Sequence, residues 1–198
     1  PMAKYDLDTI RHSSAHLMAQ AITELFPTET VKLGIGPVIE HGFYYDIEME
    51  TKLTDEHLGL IEDKMKALTK AALPITRHEV SREDALKMFA AKGQTLKLEL
   101  IRDFPADEVI TYYMQGDTFF DLCTGPHVEN TKDLPWFFKL QHTAGAYWRG
   151  DMKRPMLQRV YALCFNSKEE LKAHLQFLEE AKKRDHRKLG KDLGLFIF

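Results

Sequence analysis

Pro27, Pro74 and Gly93 each stand just past a run of residues with helical spacing, and this punctuation constrains the fold more than any other feature. Proline cannot continue a helix and glycine closes one readily, so three helices are expected to end at these marks. The first is capped by Asp8 or Thr9 and runs through Phe26, with Ile10, Leu17, Ala21, Ile22 and Leu25 near helical spacing. The second starts at Thr54, with Asp55 and Glu56 behind it, and reaches about Leu73; the third starts at Ser81-x-x-Asp84. Between the helices, residues 31–49 read as two short strands around the Gly36-Pro37 turn, 75–80 as a strand, and 108–122 as a hairpin turning near Gly116-Asp117. Further strands are expected at 135–142, 145–149 and 156–165, and Ser167-x-x-Glu170 is a capping box opening a long last helix to about Leu189. Helices divided by clusters of consecutive strands predict an α+β fold, a largely antiparallel sheet packed with helices, rather than a βαβ repeat. The expected organisation is a lead-in over 1–7, one domain over 8–166 and a helical linker over 167–198.

With 198 residues, 44% of them hydrophobic, the chain has enough material for one sizeable core. Its net charge of −3 excludes a globally basic nucleic-acid binder, so any RNA contact must come from a local patch. The two cysteines, Cys123 and Cys164, are too few for a disulfide-stapled secreted scaffold; a reducing cytosol is expected. No apolar run approaches the roughly 20 residues that span a bilayer, and no membrane partner is expected. Pro1 ahead of Met2 reads as a remnant of cloning, and "LGLFIF" stops inside an apolar run, as if a further module followed.

The chemistry concentrates in two pairs. His12 and His16 are four residues apart in the first helix, which puts them on one face. Cys123 and His127 repeat that spacing across the Gly125-Pro126 bend, directly after the hairpin. Three imidazoles and a thiol are a coherent donor set for zinc. They are equally a pocket of titratable groups able to orient a water and move a proton near neutral pH. Spacing leaves both readings open. A metalloprotease does not fit, because no glutamate follows His12 to act as general base.

Six blocks carry a resemblance: "RHSSAHLMAQAITELFP", "IGPVIEHGFYYDIE", "DLCTGPHV", "TAGAYWRGD", "MLQRVYALCF" and "EEAKKRDHRKLGKDLGLF". In this order they resemble the editing region of bacterial-type threonyl-tRNA synthetases, a region related to the alanyl-tRNA synthetase editing domain. The resemblance implies that the chain hydrolyses the ester of seryl-tRNA(Thr) and spares threonyl-tRNA(Thr), in the cytoplasm. The partners it implies are the serine-bearing acceptor end of tRNA(Thr) and the rest of the synthetase, whose aminoacylation core would begin past Phe198. The alanyl relatives hold zinc with an equivalent set. The threonyl branch is understood to edit without a required metal, so no cofactor is expected here; if zinc binds, its ligands are His12, His16, Cys123 and His127.

By the same resemblance, His12, His16, Cys123 and His127 line the pocket, and His16 or His127 orients the attacking water. Asp121 holds the seryl ammonium or polarises an imidazole. Lys97, in "TLKLEL", stabilises the oxyanion or the leaving hydroxyl. Gly36 admits a close backbone approach, Tyr45 and Tyr113 stack near the terminal adenosine, and Arg149 meets acceptor-end phosphates or pairs with Asp151. Thr124 stands where many members carry arginine, which puts one phosphate contact in doubt. Ser13, Ser14 and Ala15 are expected to decide nothing. Cys164 reads as a small buried hydrophobe, and Lys182, Lys183, Arg184, Arg187, Lys188 and Lys191 as a wet helix face that could also run along tRNA. Two other readings are a free-standing deacylase acting in trans and a non-catalytic, zinc-stabilised RNA-binding module.

Overall fold

The structure is a computed structural model that describes residues 4–194, with side chains as far as Gly190. Residues 1–3 of the lead-in, 195–198 at the chain end and the side chain of Lys191 lie outside the described residues.

Helix α1 (Leu7–Leu25) opens at Asp6, whose carboxylate accepts from the Thr9 N–H at 2.7 Å. The cap thus falls ahead of the expected Asp8 or Thr9. Asp8 instead adds a carboxylate to the first turn, where the helix dipole favours it. From Thr9 to Ile22 nearly every side chain is buried, so α1 is an internal helix rather than a surface one. Leu17, Met18 and Ile22 are wholly enclosed. Each contributes about 1.5–3 kcal/mol of transfer free energy.

Five strands cover α1: β1 (Lys32–Leu33), β2 (Val38–Ile39), β3 (Gly42–Glu48), β7 (Phe138–Tyr147) and β8 (Met156–Cys164). They form an antiparallel sheet in the order β1-β3-β8-β7, with β2 also on β3. Phe43, Tyr45 and Ile47 alternate inward from β3 and are fully buried. Two corrections concern this sheet. Residues 31–49 hold three strands rather than two, because the chain reverses at Glu40-His41, with His41 left-handed (φ 69°), and not at Gly36-Pro37. β7 is one ten-residue strand where two were expected, since Gly145 stays in register with Gln158 and does not break it. The irregularity is a bulge between Leu140 and His142; residues 135–137 are outside the strand, and Trp148–Gly150 is a 3₁₀ turn.

A second antiparallel sheet takes β4 (Ile75–Val80), β5 (Ile110–Gln115) and β6 (Phe119–Leu122) in that order. α2 (Asp55–Lys70) is capped by Thr54, with His57 closing the box, and packs on α1. α3 (Arg82–Ala91), capped by Ser81, and α4 (Thr95–Asp103) cover the second sheet around Phe89, Ile101 and Ile110. α4 was not anticipated as an element. Leu96, Leu98 and Leu100 alternate like a strand, but Leu96 with Leu100 and Lys97 with Ile101 also repeat at four residues, and burial of Leu96, Lys97 and Ile101 selects the helix. α5 (Lys168–Gly194) starts at Ser167, whose hydroxyl accepts from the Glu170 N–H; Glu170 reaches the Asn166 N–H instead of completing the box. The α+β expectation with antiparallel sheets is met.

Candidate active site

α1, β3, α4 and the loop after β6 converge where the two sheets meet. The loop is fixed before its side chains are considered: Thr111 Oγ1 donates to the Cys123 carbonyl, and the Cys123 N–H donates to Thr111 O at 3.2 Å. Gly125 carries φ 83°, and an added Cβ there would lie 2.2 Å from the Tyr113 hydroxyl, so the bend needs glycine on two counts.

The two pairs meet. Cys123 Sγ lies 3.3 Å from His12 Nε2 and 3.1 Å from His127 Nε2, and it accepts from the Gly125 N–H at 3.2 Å. Ser13 orients the second imidazole. Its hydroxyl accepts from the Val128 N–H at 3.0 Å and lies 2.9 Å from His127 Nδ1. Where the sulfur is a thiolate, the Nε2 that faces it carries the ring proton, and Nδ1 then accepts from the Ser13 hydroxyl. Ser13 is fully buried and ties the His127 ring to the Val128 backbone, a contact that its place in the helix motif does not announce.

Beneath this group lies a buried charge cluster. Asp121 Oδ1 is 2.9 Å from Lys97 Nζ and accepts from the Leu122 N–H; Oδ2 accepts from the Tyr45 hydroxyl at 2.5 Å. His16 Nδ1 stands 3.0 Å from Oδ2, out of line for a good hydrogen bond, so that contact acts chiefly through charge. Burial alone would raise the Asp121 carboxyl; Lys97, His16 and Tyr45 reverse this and hold it well below the usual carboxylate range. Burial would lower His16, but Asp121 and Cys123 bring it up to about 9. Burial would raise the Cys123 thiol, and hydrogen bonds from the three imidazoles bring it down to about 3. Burial and the neighbouring His16 charge lower His127 to about 4. Near neutrality the cluster therefore combines an imidazolium, a thiolate, a carboxylate and a neutral imidazole.

Above the cluster opens a cleft of about 370 Å³ lined by His12, His16, Gly36, Tyr45, Lys97 and Cys123, among others. The remaining expected residues fall elsewhere. Asp121 and His127 sit behind the wall and do not line it. Tyr113 packs edge-on against His127, ring centroids 4.4 Å apart, and does not line the cleft. Tyr45 is 1% exposed, and its hydroxyl is committed to Asp121. Arg149 is outside the site: it pairs with Glu99 and Asp103, not Asp151. The cleft also takes Thr111 and Thr124; a strand threonine such as Thr111 carries no local signal in the sequence.

His12, His16, Cys123 and His127 each offer one ligand atom, and these atoms lie within 4.8 Å of one another. The donor set is compatible with zinc, and Asp121 behind His16 is the kind of partner that orients a ligating imidazole.

Residues 110–161, which include β5, β6, the Cys123 loop and most of β8, match the model of the "Threonyl and Alanyl tRNA synthetase second additional domain". Over that stretch the chain is similar to that family's domain. Outside it the likeness continues. Threonine–tRNA ligase of Exiguobacterium sp. (strain ATCC BAA-1283 / AT1b) is 55% identical over 198 residues, all of this chain and 30% of that protein. The Geobacillus sp. (strain WCH70) enzyme is 56% identical over 191 residues, 96% of this chain and 29% of its own length. The Thermus thermophilus enzyme is 54% identical over 195 residues, with 94% and 29% covered. The chain thus spans about 30% of the length of the curated relatives it matches.

Proposed function

We propose that this chain is the editing part of a threonine–tRNA ligase and hydrolyses the ester of seryl-tRNA(Thr), sparing threonyl-tRNA(Thr). Residues 8–166 form the hydrolytic domain, and α5 (Lys168–Gly194) leads from it toward the rest of the enzyme. The observation that carries the reading is the cleft lined by His12, His16, Lys97 and Cys123, with His127 against the sulfur and Asp121 against Lys97 and His16 directly behind them. Its chemical rationale is discrimination. Serine lacks only a methyl of threonine, and one methyl separates substrates by about 1–3 kcal/mol, so a pocket that binds threonine also charges serine. A second, smaller pocket that admits the serine ester and refuses the extra methyl removes the error.

The net reaction gives the oxygen of water to the acyl carbon and breaks the ester C–O bond; the departing ribose oxygen takes up one proton from that water and leaves as the hydroxyl. The chain's own groups position and stabilise. His16, protonated and tethered to Asp121, orients the water as a donor, while the Cys123 sulfur accepts from it. His127, neutral and behind the sulfur, steadies the thiolate. Lys97 stabilises the oxyanion and then the leaving hydroxyl. Asp121 polarises His16 rather than holding the seryl ammonium, since the cleft does not reach it. Gly36 admits the ligand past Tyr45, which supports the wall; Tyr113 steadies His127. No metal is required in this proposal. If zinc binds, His12, His16, Cys123 and His127 hold it, and it would supply Lewis-acid activation of water.

The site is proposed to work in the cytoplasm; among the described residues, no helix is long and apolar enough to cross a membrane. The test is serine release from seryl-tRNA(Thr) by the purified chain, with threonyl-tRNA(Thr) as control. Release of serine alone supports the reading, and equal release of both amino acids, or of neither, ends it.

A further inference from the structure

α4 begins weakly. It has no side-chain N-cap bond, because the Gln94 amide turns instead to Val31 O (2.9 Å) and the Leu33 N–H (2.7 Å). A helix this short does not hold itself in water, so tertiary contacts decide where it sits. They come from opposite sides. Two residues apart on a 3.6-residue turn, Lys97 and Glu99 project about 160° from one another. Lys97 points to Asp121 and the cleft. Glu99 points to the far end of the β7–β8 hairpin, where it accepts from the Trp148 indole N–H (3.2 Å), from Arg149 (3.3 Å) and from Arg154. Arg149 also reaches Asp103, one helical turn on. Trp148 is 2% exposed and packs on Leu96 and Leu100 between the two attachments. Arg149 itself sits left-handed (φ 56°), a conformation uncommon for a non-glycine residue.

We propose that Glu99 is a positioning residue for Lys97: by gripping Glu99, the hairpin end sets how deeply the Lys97 ammonium enters the cleft. The consequence for catalysis rests on the deacylase reading; the consequence for the place of Lys97 does not.

The experiment uses the 198-residue chain with Glu99→Ala, with Arg154→Ala on the hairpin side, and with Glu99→Gln, which keeps an acceptor for Trp148. Amine labelling of Lys97, read by peptide mass spectrometry, reports the lysine independently of activity. Lys97 is shielded in the native chain, and about tenfold faster labelling is expected in both alanine variants as α4 loosens locally. Serine release is expected to lose about a hundredfold in kcat with KM near its native value, because a displaced cation harms the transition state more than binding. Glu99→Gln should fall between. If Glu99→Ala does not fold, Arg154→Ala carries the test with α4 unaltered. Folded variants with Lys97 still shielded and kcat unchanged overturn the proposal while leaving the deacylase reading intact. Amide protection lost throughout β3 as well would mean general loosening and would also overturn it. A native chain that releases no serine refutes the deacylase reading, and the labelling still judges the grip.

Discussion

Lys97 Nζ and Asp121 Oδ1 meet at 2.9 Å, with 4% and 1% of their side chains exposed, although one comes from α4 and the other from β6. A pair this deep is expensive to form and more expensive to halve, because removing one member leaves the other charged without its partner. Lys97→Met is expected to lose about 3 kcal/mol in urea unfolding. Adding Asp121→Asn should restore part of that loss. A single variant as stable as the native chain would contradict the burial of this charge.

The metal-free chain should gain stability from acid to about pH 6.5 and then level off. Cys123 is depressed from 9.0 to about 3 and His127 from 6.5 to about 4, and Asp121 lies below the usual carboxylate range. At all three the unfolded state binds more protons below about pH 6.5, so stability rises with pH there. His16 is raised from 6.5 to about 9, so its contribution is complete below 6.5 and lost as pH rises through 9, while that of Cys123 still grows. These opposite slopes flatten the curve between 6.5 and 9. Thermal melts across roughly pH 4–10 check it, and Cys123→Ala should tilt the flat region downward with rising pH.

Gly36 is pressed against Tyr45: a Cβ there would lie 2.2 Å from the ring, which is itself packed to 1% exposure. Gly36→Ala should cost about 1–3 kcal/mol as the wall shifts, and lower serine release more than Gly59→Ala, which meets nothing within 4 Å. Urea melts with a parallel hydrolysis assay compare the two.

His12→Ala and Cys123→Ala should keep a native circular dichroism spectrum and a cooperative melt, while serine release falls about a hundredfold. A zinc-stabilised binding module would instead unfold. Intact activity in both folded variants would remove the cluster from the chemistry.

Elemental analysis of the purified chain, followed by deacylation with and without chelator, addresses the metal. Activity unchanged by chelation is expected. Stoichiometric zinc whose removal abolishes serine release would reassign the four donors as its ligands.

The helix ends at Pro27, Pro74 and Gly93, the strands at 75–80 and 156–165 and the long final helix were legible, because proline, glycine and capping residues act through their immediate neighbours. α4 was not, since "TLKLEL" fits two periods and only its burial against Trp148 and Ile110 chose between them. Arg149 misled for a related reason: an arginine beside tryptophan in a turn looks available for phosphate until Glu99 and Asp103 come up from another element. Ser13 was overlooked because a helix serine gives no sign of its partner 114 residues away.

By itself the sequence determined the local periods, the four-residue spacing of each pair and the resemblance that named a chemistry. These depend on backbone geometry over a few residues. Only the tertiary structure decided that the pairs share a wall, that Asp121 lies behind it and not in it, and which imidazole is charged. Ionisation and access depend on burial and on the charges nearby, and those neighbours are chosen by folding, from residues far apart along the chain.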